Sequence, residues 1–353
     1  MINILFQTNV LNNLNVARGV GTYTRLLTEE LKNNQEINLI KSSTLEKNEK
    51  VKINITHYPF FDLFFDTLPI IPFKKVVVTI HDVIPLLYPE FYPPGIKGKL
   101  RFKKQKLALK NVNAVITDSQ ASKADIVKYL GLPEEKVHVI YLAAGAELTK
   151  QEDKFIRKVS RKYKLPKKYL LYVGDINYNK NIPQLIKMMK FVEDKNIKLV
   201  CVGRSFTPQE IPEWKWIETQ LALSDVTDRV IFLSTIPSEP ADELAAIYSG
   251  SIAYVQPSLY EGFGLPVLEA MQCQTPVVCS KNSSLIEVGG DKVIFTEPTA
   301  ESLANAVNDV FSWSKTKRAK LIKDAYKWSQ NFSWEKTAEK TVEVYRQILE
   351  NKS

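Results

Sequence analysis

Two glutamates with seven residues between them flank a glycine-containing loop in the second half of the chain. Glu261 stands in the loop, and Glu269 stands about one turn inside a helix predicted from position 265. A carboxylate that accepts two hydroxyl protons is well suited to hold a diol such as that of ribose or a hexose. Gly262 and Gly264 allow a sharp turn and a close approach of the backbone to a ligand. The spacing therefore indicates a site for a sugar.

The helix after this loop begins near Leu265-Pro266, and a predicted strand at 251–256 precedes the loop. Proline suits the first helical turn because its missing N–H would have no helical partner there. The free backbone N–H groups and the positive end of the helix dipole attract an anion. We therefore expect a phosphate group to bind at this helix end, beside the sugar site.

A lysine that could stabilise negative charge follows the strand predicted at 169–173. That strand ends at Gly174, and Lys180 stands just before the next predicted helix. A phosphate leaving group gains negative charge as its bond breaks, and one donor aimed at that charge is worth about 3–4 kcal/mol. Arg204, which follows the strand predicted at 197–202, is a further candidate cation. For both residues the alternative is an ordinary solvated side chain.

Further candidates lie in the first half of the chain. Gly19 and Gly21 precede a predicted helix, a pattern that is also typical of a simple turn, and no G-x-G-x-x-G dinucleotide fingerprint is present. His81 follows the strand predicted at 75–80, and the carboxyl ends of parallel strands are where such sheets bind ligands. Asp82 either orients the imidazole or caps the loop.

The elements that position these residues alternate between short apolar strands and amphipathic helices. Strands are predicted at 2–8, 75–80, 113–117, 137–140, 169–173, 197–202, 229–232, 251–256, 276–279 and 293–295. Helices are predicted at 22–33, 97–111, 120–130, 181–192, 241–249, 265–273, 301–312 and 334–350. Repeated alternation of apolar strands and helices is typical of doubly wound parallel sheets. A charged stretch over 148–168 separates two such series, so we predict two α/β domains with a boundary near residue 160.

Composition excludes several classes of protein. The chain has 353 residues, of which 44% are apolar, enough for about two domains. No apolar run is long enough to cross a membrane, and the first residues are typical of a strand rather than of a secretion leader. The three cysteines show no C-x-x-C spacing, and the three histidines do not cluster with them in sequence. We therefore interpret the cysteines as reduced core residues of a cytoplasmic protein, without a zinc site.

One stretch concentrates the net charge of +9. Residues 96–112 interleave cations with apolar residues and contain no acid, and aromatic residues are concentrated upstream at 59–73. A basic face beside apolar loops suits an anionic membrane surface. Each cation near the lipid contributes about 1 kcal/mol to the binding free energy. We therefore expect peripheral association with the inner face of a membrane, with a solvated helix face as the alternative. No nucleic-acid partner is expected because no reading motif accompanies the charge.

The segment from Pro257 to Met271 resembles the retaining family-4 glycosyltransferases, whose hallmark is Glu, seven residues, Glu. The resemblance implies that Glu261 contacts hydroxyls of the donor sugar and Glu269 the ribose. It implies that the residues between them line the sugar and the diphosphate of the donor: Gly262, Phe263, Gly264 and Leu265. The chain has Gln274 where the family usually has glycine, which affects local turn geometry more than chemistry.

The loop from Gly174 to Lys180 is similar to the family's Gly-x-x-x-x-x-Lys loop, with Lys180 in the lysine position. Many family members carry arginine directly after the glycine, where this chain has Asp175. An acid cannot clamp a phosphate. Asp175 therefore points away, caps the loop, or is compensated by another cation such as Arg204.

The first half of the chain carries weaker matches to the same family. His81 begins a His-Asp-x-x-Pro segment, which implies contact with the donor sugar or the acceptor. Gly19 and Gly21 resemble the glycine loop that faces the diphosphate from the opposite side. The fold that the resemblance implies is GT-B, two Rossmann-like doubly wound domains that face each other across a cleft. We assign 1–160 to an acceptor domain, 161–330 to a nucleotide-sugar domain, and 331–353 to a helix that returns to the first domain.

The function that the resemblance implies is transfer of a hexosyl unit from a nucleoside diphosphate sugar to a hydroxyl of a glycan or lipid-linked acceptor. We expect His81, Lys180 and Glu261 to be the catalytic residues, with no metal and no separate cofactor. The His-Asp-Val-Ile-Pro segment favours GDP-mannose, and UDP-sugars stay open. Two other classes also stay open: a sugar-nucleotide 2-epimerase, which needs no acceptor, and a non-catalytic nucleotide-sugar binder.

Overall fold

The computed structural model describes residues 1–8, 19–42, 52–72, 74–237 and 240–350. It consists of two compact units, each built around its own sheet. The first unit comprises residues 1–143 and 332–353, and the second unit comprises residues 144–331. Within the described ranges no helix combines the length and the apolarity needed to cross a bilayer.

All strand pairs in both sheets are parallel. The first sheet has the order β2-β1-β3-β4-β5-β6, and the second has the order β12-β11-β10-β7-β8-β9. The strands are β1 Ile2–Phe6, β2 Ile37–Lys41, β3 Ile55–Tyr58, β4 Lys75–Thr79, β5 Ala114–Thr117, β6 Val137–Val139, β7 Tyr169–Val173, β8 Lys198–Val202, β9 Val230–Leu233, β10 Ala253–Gln256, β11 Val277–Ser280 and β12 Ile294–Thr296. In both sheets the order reverses part-way, as in doubly wound folds.

Helices connect most of these strands. They are α1 Gly19–Asn33, α2 Ile84–Leu87, α3 Gly95–Leu109, α4 Gln120–Asp125, α5 Asp153–Lys162, α6 Ile182–Phe191, α7 Pro212–Ser224, α8 Asp242–Gly250, α9 Leu265–Gln272, α10 Ser283–Gly289, α11 Ala300–Ser312, α12 Lys315–Ser329 and α13 Trp334–Glu350. A π-helical turn, Ile126–Leu130, continues α4. The C-terminal helix α13 belongs to the first unit, where it packs against α1.

The central strands are buried along their whole length, which explains their continuous apolar runs. All residues of β5, β10 and β11 are buried. Helices cover both faces of a doubly wound sheet, so both sides of each central strand must be apolar. The sequence prediction of two Rossmann-like units is confirmed, and the cores lie between each sheet and its helices.

The two units divide the chain at residues 143 and 144, earlier than the boundary we predicted near 160. The charged stretch that suggested a linker contains α5, which packs on α8 of the second unit. Lys162 Nζ lies 2.6 Å from the Glu243 carboxylate, and the Tyr163 hydroxyl donates to the same group at 2.5 Å. Most residues of α5 are charged and lie on its outer face, and its apolar face includes the buried Val159. The many charges made this helix look like a linker in the sequence.

Several elements were not among the sequence predictions: β2, β3, α2, α5, α7, α10 and α12. Strand β3 carries the polar residue His57 in its interior, which interrupts the apolar run. Helix α12 buries only Ala325 and Ser329. Two small buried residues do not produce the apolar periodicity that predicts a helix. Phe73, one of the aromatic residues noted upstream of the basic stretch, lies outside the described residues.

Candidate functional site

The loop after β7 places Lys180 at the carboxyl end of the second sheet. Gly174 follows the strand with a φ of 153°, and a Cβ there would lie 2.7 Å from the Tyr172 hydroxyl, so a side chain does not fit. A single 3₁₀ turn, Tyr178–Lys180, comes next. Asn181 then starts α6 in the left-handed region, with a φ of 59°.

Asparagine side chains tie this turn to the loop after β10. The amide of Asn181 donates to the Pro257 carbonyl oxygen at 3.0 Å. Asn179 is buried and donates to the Tyr260 carbonyl oxygen at 2.9 Å. The two loops therefore hold each other in place, and sequence reasoning missed both asparagines. The only signal was their position on either side of the motif lysine.

An ion pair joins the two loops at their functional residues. Lys180 Nζ lies 2.9 Å from Oε1 and 2.7 Å from Oε2 of Glu261. The lysine side chain is 21% exposed and the glutamate side chain 7%. The pair forms because β7 and β10 are neighbours in the sheet, so their carboxyl ends lie side by side.

Glu261 is also held by its own sequence neighbours. Ser258 Oγ and Gln256 Nε2 each donate to Oε1 of Glu261 at 2.6 Å. The backbone N–H of Glu261 donates to the Ser283 hydroxyl at 3.0 Å. The two bonds of 2.6 Å to the carboxylate are charge-assisted, and such hydrogen bonds are strong. The position of this carboxylate therefore does not depend on Lys180 alone.

Glu269 lies on α9 and accepts a hydrogen bond from the Tyr248 hydroxyl at 2.8 Å. Burial raises the pKa of Glu269, and the hydrogen bond from Tyr248 offsets part of that rise. The Tyr248 ring packs on Tyr254 with centroids 5.6 Å apart. Burial raises the pKa of the Tyr254 hydroxyl, and the charges of Glu261 and Glu269 raise it further. The two motif acids therefore lie within electrostatic reach of one buried tyrosine.

The turn before α9 requires glycine at one position. Gly264 has a φ of 102°, and a Cβ there would lie 2.8 Å from Leu285 Cδ2. Gly262 and Phe263 are buried in the same turn. The helix begins at Leu265, as predicted, with proline in its first turn. Pro266 has no N–H and the Val267 N–H donates to the Gly264 carbonyl oxygen at 2.9 Å, so the Leu265 N–H and the positive end of the helix dipole are what suit an anion here.

Asp175, which takes the place of the family's arginine, bonds to the loop after β8. The Ser205 hydroxyl donates to Asp175 Oδ1 at 2.8 Å. A Cβ on Gly203 would lie 2.0 Å from the Gly174 carbonyl oxygen, so the loops after β7 and β8 touch backbone to backbone. Asp175 thus caps this loop pair, and the exposed Arg204 stands on the adjoining loop.

Gln274, which takes the place of another family glycine, has a φ of 56°. Its N–H donates to the Met271 carbonyl oxygen at 3.0 Å, at the end of α9. The chain therefore keeps a left-handed turn that favours glycine while carrying a side chain there.

A second polar pair lies at the carboxyl edge of the first sheet. His81 Nδ1 and Asp118 Oδ2 are 2.7 Å apart, because these residues follow the neighbouring strands β4 and β5. Burial lowers the pKa of His81, but the charge and hydrogen bond of Asp118 outweigh that effect and the net pKa is raised. Burial raises the pKa of Asp118, and His81 acts in the opposite direction.

The loops around His81 are capped by short polar side chains. Asp82 accepts from the Ile84 N–H at 2.9 Å, so it caps the loop, and Asp118 rather than Asp82 holds the imidazole. Ser119 is the N-cap of α4 and accepts from the Ser122 N–H at 3.0 Å. Sequence reasoning missed Asp118 because it lies far from His81 along the chain.

The structure places Gly19 and Gly21 differently from our prediction. Both lie inside the first turn of α1, so the expected loop before a helix at 22–33 is wrong. Gly19 is exposed and Gly21 is buried. Contact of these glycines with a diphosphate stays a prediction.

A buried chain of hydrogen bonds adjoins His81, and no motif along the chain predicted it. Tyr345 of α13 lies 2.5 Å from Nδ1 of His57, and Nε2 of His57 lies 2.9 Å from the Thr79 hydroxyl. The Tyr23 hydroxyl is 2.9 Å from the same threonine oxygen, and its ring packs edge-on against His81 at 4.8 Å. Burial lowers the pKa of His57 to about 3, with a smaller effect from His81.

The structure thus brings Lys180, Glu261 and the start of α9 together in the second unit, with Glu269 close to them. His81 belongs to the first unit and is paired there with Asp118. Among the described residues there is no group of three or more His, Cys, Asp or Glu side chains that could hold a metal ion.

Two family models match this chain. The model described as glycosyl transferases group 1 matches residues 152–328, which is half of the chain. The model described as glycosyltransferase family 4 matches residues 36–144. The chain belongs to the group 1, family-4 glycosyltransferases.

Curated relatives of this glycosyltransferase include the O-antigen chain mannosyltransferase B of Escherichia coli. The two are 28% identical over 285 residues, which cover 77% of this chain and 70% of the relative. The serotype-specific mannosyltransferase WbdA of Escherichia coli is 28% identical over 287 residues, 80% of this chain. This chain spans only about a third of the length of WbdA, 34%.

Solved structures show the same fold at low sequence identity. Sucrose-phosphate synthase from Thermosynechococcus elongatus has a TM-score of 0.75 and 20% identity, over 99% of both chains. Anabaena Alr3699/HepE, in complex with UDP and glucose, has a TM-score of 0.74 and 17% identity, over 98% of this chain and 100% of that one. The glycosyltransferase therefore has the GT-B fold.

Proposed function

We propose that this glycosyltransferase moves a hexosyl unit from a nucleoside diphosphate sugar to an acceptor hydroxyl, with retention of anomeric configuration. The observation that carries the proposal is the ion pair of Lys180 and Glu261, where the ends of β7 and β10 meet the start of α9. A cation and a helix end beside a fixed carboxylate suit the two parts of such a donor. These parts are the diphosphate and the sugar hydroxyls.

In the proposed reaction, the bond between the anomeric carbon and the diphosphate oxygen breaks while the acceptor oxygen bonds to the same face of that carbon. The acceptor proton passes to the departing diphosphate oxygen, so no further base is needed. Lys180 stabilises the charge that develops on the diphosphate. Glu261 accepts from hydroxyls of the transferred sugar, and Glu269 accepts from the ribose.

The remaining predicted site residues have supporting roles in this proposal. Backbone at Gly174, Gly262 and Gly264 approaches the donor closely, and Arg204 adds positive charge near the diphosphate. His81 contacts the sugar or the acceptor. We propose no metal and no separate cofactor, since a lysine, an arginine and a helix end supply the charge stabilisation.

GDP-mannose is the donor that we favour, and UDP-sugars are second. The Escherichia coli relatives are mannosyltransferases by name, which supports mannose. The Anabaena structure contains UDP and glucose, which supports the second choice. The acceptor that we propose is a growing glycan, free or lipid-linked, because one of these relatives is an O-antigen chain mannosyltransferase by name.

A donor screen tests the proposal directly. Thermal unfolding of the full chain is measured with GDP-mannose, UDP-glucose, UDP-N-acetylglucosamine and ADP-glucose. A ligand at 100 times its Kd stabilises the native state by about 2.7 kcal/mol. We expect the unfolding midpoint to rise most with GDP-mannose, and a screen in which no nucleoside diphosphate sugar raises it contradicts the proposal.

Substitution of Glu261 then tests the site. Glu261→Gln keeps the shape of the side chain, and we expect it to reduce turnover by about 100-fold or more with little change in the unfolding midpoint. Glu243→Gln, which breaks the Lys162 ion pair between α5 and α8, is the matched control. Near-normal turnover by Glu261→Gln would count against the assignment.

Incubation with the donor alone separates transfer from 2-epimerisation. A transferase leaves the nucleotide sugar unchanged or slowly hydrolyses it, whereas an epimerase converts it to its isomer without an acceptor. NMR of the glycosidic product then reports the anomeric configuration, and inversion would contradict retention.

A further inference from the structure

Helix α3 exposes a stripe of large aliphatic side chains. Ile96 is 82% exposed, Leu100 62% and Leu107 48%. Positions separated by four and seven residues, or by eleven, lie on one face of an α-helix. These three side chains therefore point outward together, which is costly in water unless another apolar phase covers them.

The orientation of α3 is set by its inner face. Gly98 is buried, and a Cβ there would lie 2.9 Å from Pro94 Cβ and 3.5 Å from Phe64 Cβ, so the helix lies close against the preceding loop. Gln105 is fully buried, and its side-chain oxygen accepts from the N–H groups of Thr67 and Leu68 at 3.0 and 2.9 Å. Because the inner face is fixed in this way, the aliphatic stripe stays outward.

Cations flank the aliphatic stripe on both sides. At 100° per residue, Lys97 and Lys104 fall on one side of the stripe, and Lys99, Lys106 and Lys110 fall on the other. Lys103 falls within the stripe itself. No acidic residue occurs between positions 95 and 112. Of these cations, Lys104 forms an ion pair with Asp66 at 3.0 Å, and Lys106 Nζ donates to the Tyr129 carbonyl oxygen at 3.1 Å.

The loop before α3 extends the apolar surface. Phe65 is 61% exposed and Ile71 81%. The Arg101 guanidinium lies 5.3 Å from the centre of the Phe65 ring, and Asn111 donates to the Ile70 carbonyl oxygen at 2.8 Å. The loop is therefore bonded along the helix, so its exposed side chains lie beside α3.

Basic charge alone does not account for this surface. Helix α12 is also basic, with exposed Lys315, Lys320 and Lys323, yet the large exposed apolar residues of the described chain include none of its side chains. A polyanion such as nucleic acid would need the cations of α3 but would gain nothing from exposed isoleucine, leucine and phenylalanine. A membrane of anionic lipids uses both features, since apolar side chains enter the acyl boundary and lysines contact the headgroups.

We propose that the α3 face, defined as Ile96, Leu100, Leu107, Phe65, Ile71 and the lysines of α3, docks this glycosyltransferase on an anionic lipid surface. The helix lies in the plane of the interface with its stripe inserted. This inference extends the proposed function, because it brings the enzyme to the surface where a lipid-linked acceptor would reside. It does not depend on which nucleotide sugar is the donor.

Vesicle sedimentation tests the proposal with the full chain. The probes are vesicles of phosphatidylcholine alone and of phosphatidylcholine mixed with phosphatidylglycerol. We expect the protein to pellet with the anionic vesicles and to stay in solution with the neutral ones. The triple variant Lys97→Gln, Lys99→Gln, Lys103→Gln should partition about 100-fold more weakly, since each cation contributes about 1 kcal/mol.

Matched variants separate lipid insertion from simple charge attraction. Ile96→Gln with Leu100→Gln should weaken partition by about tenfold or more with all charges retained. The charge control is Lys315→Gln, Lys320→Gln, Lys323→Gln on α12, and the apolar control is Leu223→Gln, whose side chain is 73% exposed on α7. Both controls should partition like the unchanged protein, and thermal unfolding midpoints verify that every variant is folded.

Three results would overturn the proposal. One is a failure of the unchanged protein to pellet with anionic vesicles. Another is an equal loss of partition in the α3 and α12 lysine variants, which would reflect net charge only. The third is unaltered partition of the Ile96 and Leu100 variant, which would indicate a general polyanion surface such as one for nucleic acid. Donor binding, measured in parallel by thermal shift, should be the same in all variants, so failure here is distinct from failure of the proposed function.

Discussion

Each sheet presents one acid–cation pair at its carboxyl edge, and the two pairs are held in different ways. In both, the partners follow neighbouring parallel strands, β7 and β10 for Lys180 with Glu261, and β4 and β5 for His81 with Asp118. The Glu261 carboxylate accepts hydrogen bonds from three side chains, those of Lys180, Gln256 and Ser258. Among the described residues, Asp118 Oδ1 has no hydrogen-bond partner.

The difference indicates two kinds of polar site. The second-unit carboxylate is fixed by residues of its own segment, so it is pre-positioned for a ligand whether or not the lysine is present. The first-unit acid depends on a single charged partner within a buried setting. Such a pair is sensitive to protonation, because neutralising either member leaves the other buried without compensation.

The largest effect is expected from loss of the cation in the second unit. Lys180→Met removes the charge that is proposed to stabilise the departing diphosphate, and we expect turnover to fall by about 100- to 1,000-fold. Because Glu261 keeps its other donors, the unfolding midpoint should change little. Steady-state rates at saturating donor, alongside thermal unfolding, measure both. A large fall in stability without a fall in turnover would mean that the two pairs do not differ as described.

The first-unit pair should respond to pH in a defined direction. The folded pKa of His81 is raised above 6.5, so its stabilising contribution is present below pH 6.5 and is lost as pH rises through the folded pKa. Asp118→Asn removes the cause of the rise, and burial then lowers the pKa of His81. We expect a loss of about 3 kcal/mol at pH 5.5 and a smaller loss at pH 8.5.

Denaturant unfolding of Asp118→Asn at the two pH values measures this difference. Asp62→Asn is the control, since Asp62 caps a different loop by accepting from the Phe64 N–H at 2.8 Å and is not among the charges that shift the pKa of His81. If Asp118→Asn lowers the free energy of unfolding by the same amount at both pH values, the charges of His81 and Asp118 are not coupled.

His57 sharpens the comparison within the first unit, because its pKa is shifted in the opposite direction. The folded pKa is lowered from 6.5 to about 3, so the native state is destabilised relative to the unfolded state as pH falls from 6.5 towards 3. His57→Gln loses two buried hydrogen bonds, at a cost of about 2 kcal/mol at pH 8. The difference in the free energy of unfolding between His57→Gln and the unchanged protein should become smaller towards pH 4. If unfolding experiments show the same difference at every pH, His57 is not a neutral buried histidine.

The smallest effect concerns the left-handed turn at Gln274 in the second unit. Gln274→Gly relieves the cost of a side chain at a φ of 56°, and we expect a gain of about 0.5–1 kcal/mol in the free energy of unfolding. Gln272→Gly, at the end of the helical part of α9, is the matched control and should cost about 1 kcal/mol. Chemical denaturation measures both, and a loss of stability in Gln274→Gly would show that the glutamine side chain makes a compensating contact.

Features that depend on residues close together in the sequence could be predicted, and features that depend on residues far apart could not. The acids and glycines of the second site could be predicted because residues 253–272 form one continuous strand–loop–helix segment. The asparagines that lock Lys180 and the cap at Asp175 could not, since their partners lie on other loops. The charged surface of α5 hid a helix, and the polar interior of β3 hid a strand.

The two parallel sheets, the family and the residue types at the second site follow from the order of residues along the chain, because strand and helix periodicity and a contiguous motif are local properties. Which side chains meet depends on how the chain folds. Strand order brought Asp118 to His81 and Lys180 to Glu261, and the packing of Gly98 and Gln105 turned an apolar stripe of α3 outward. These outcomes depend on contacts between residues distant in the chain, which spacing along the sequence does not encode.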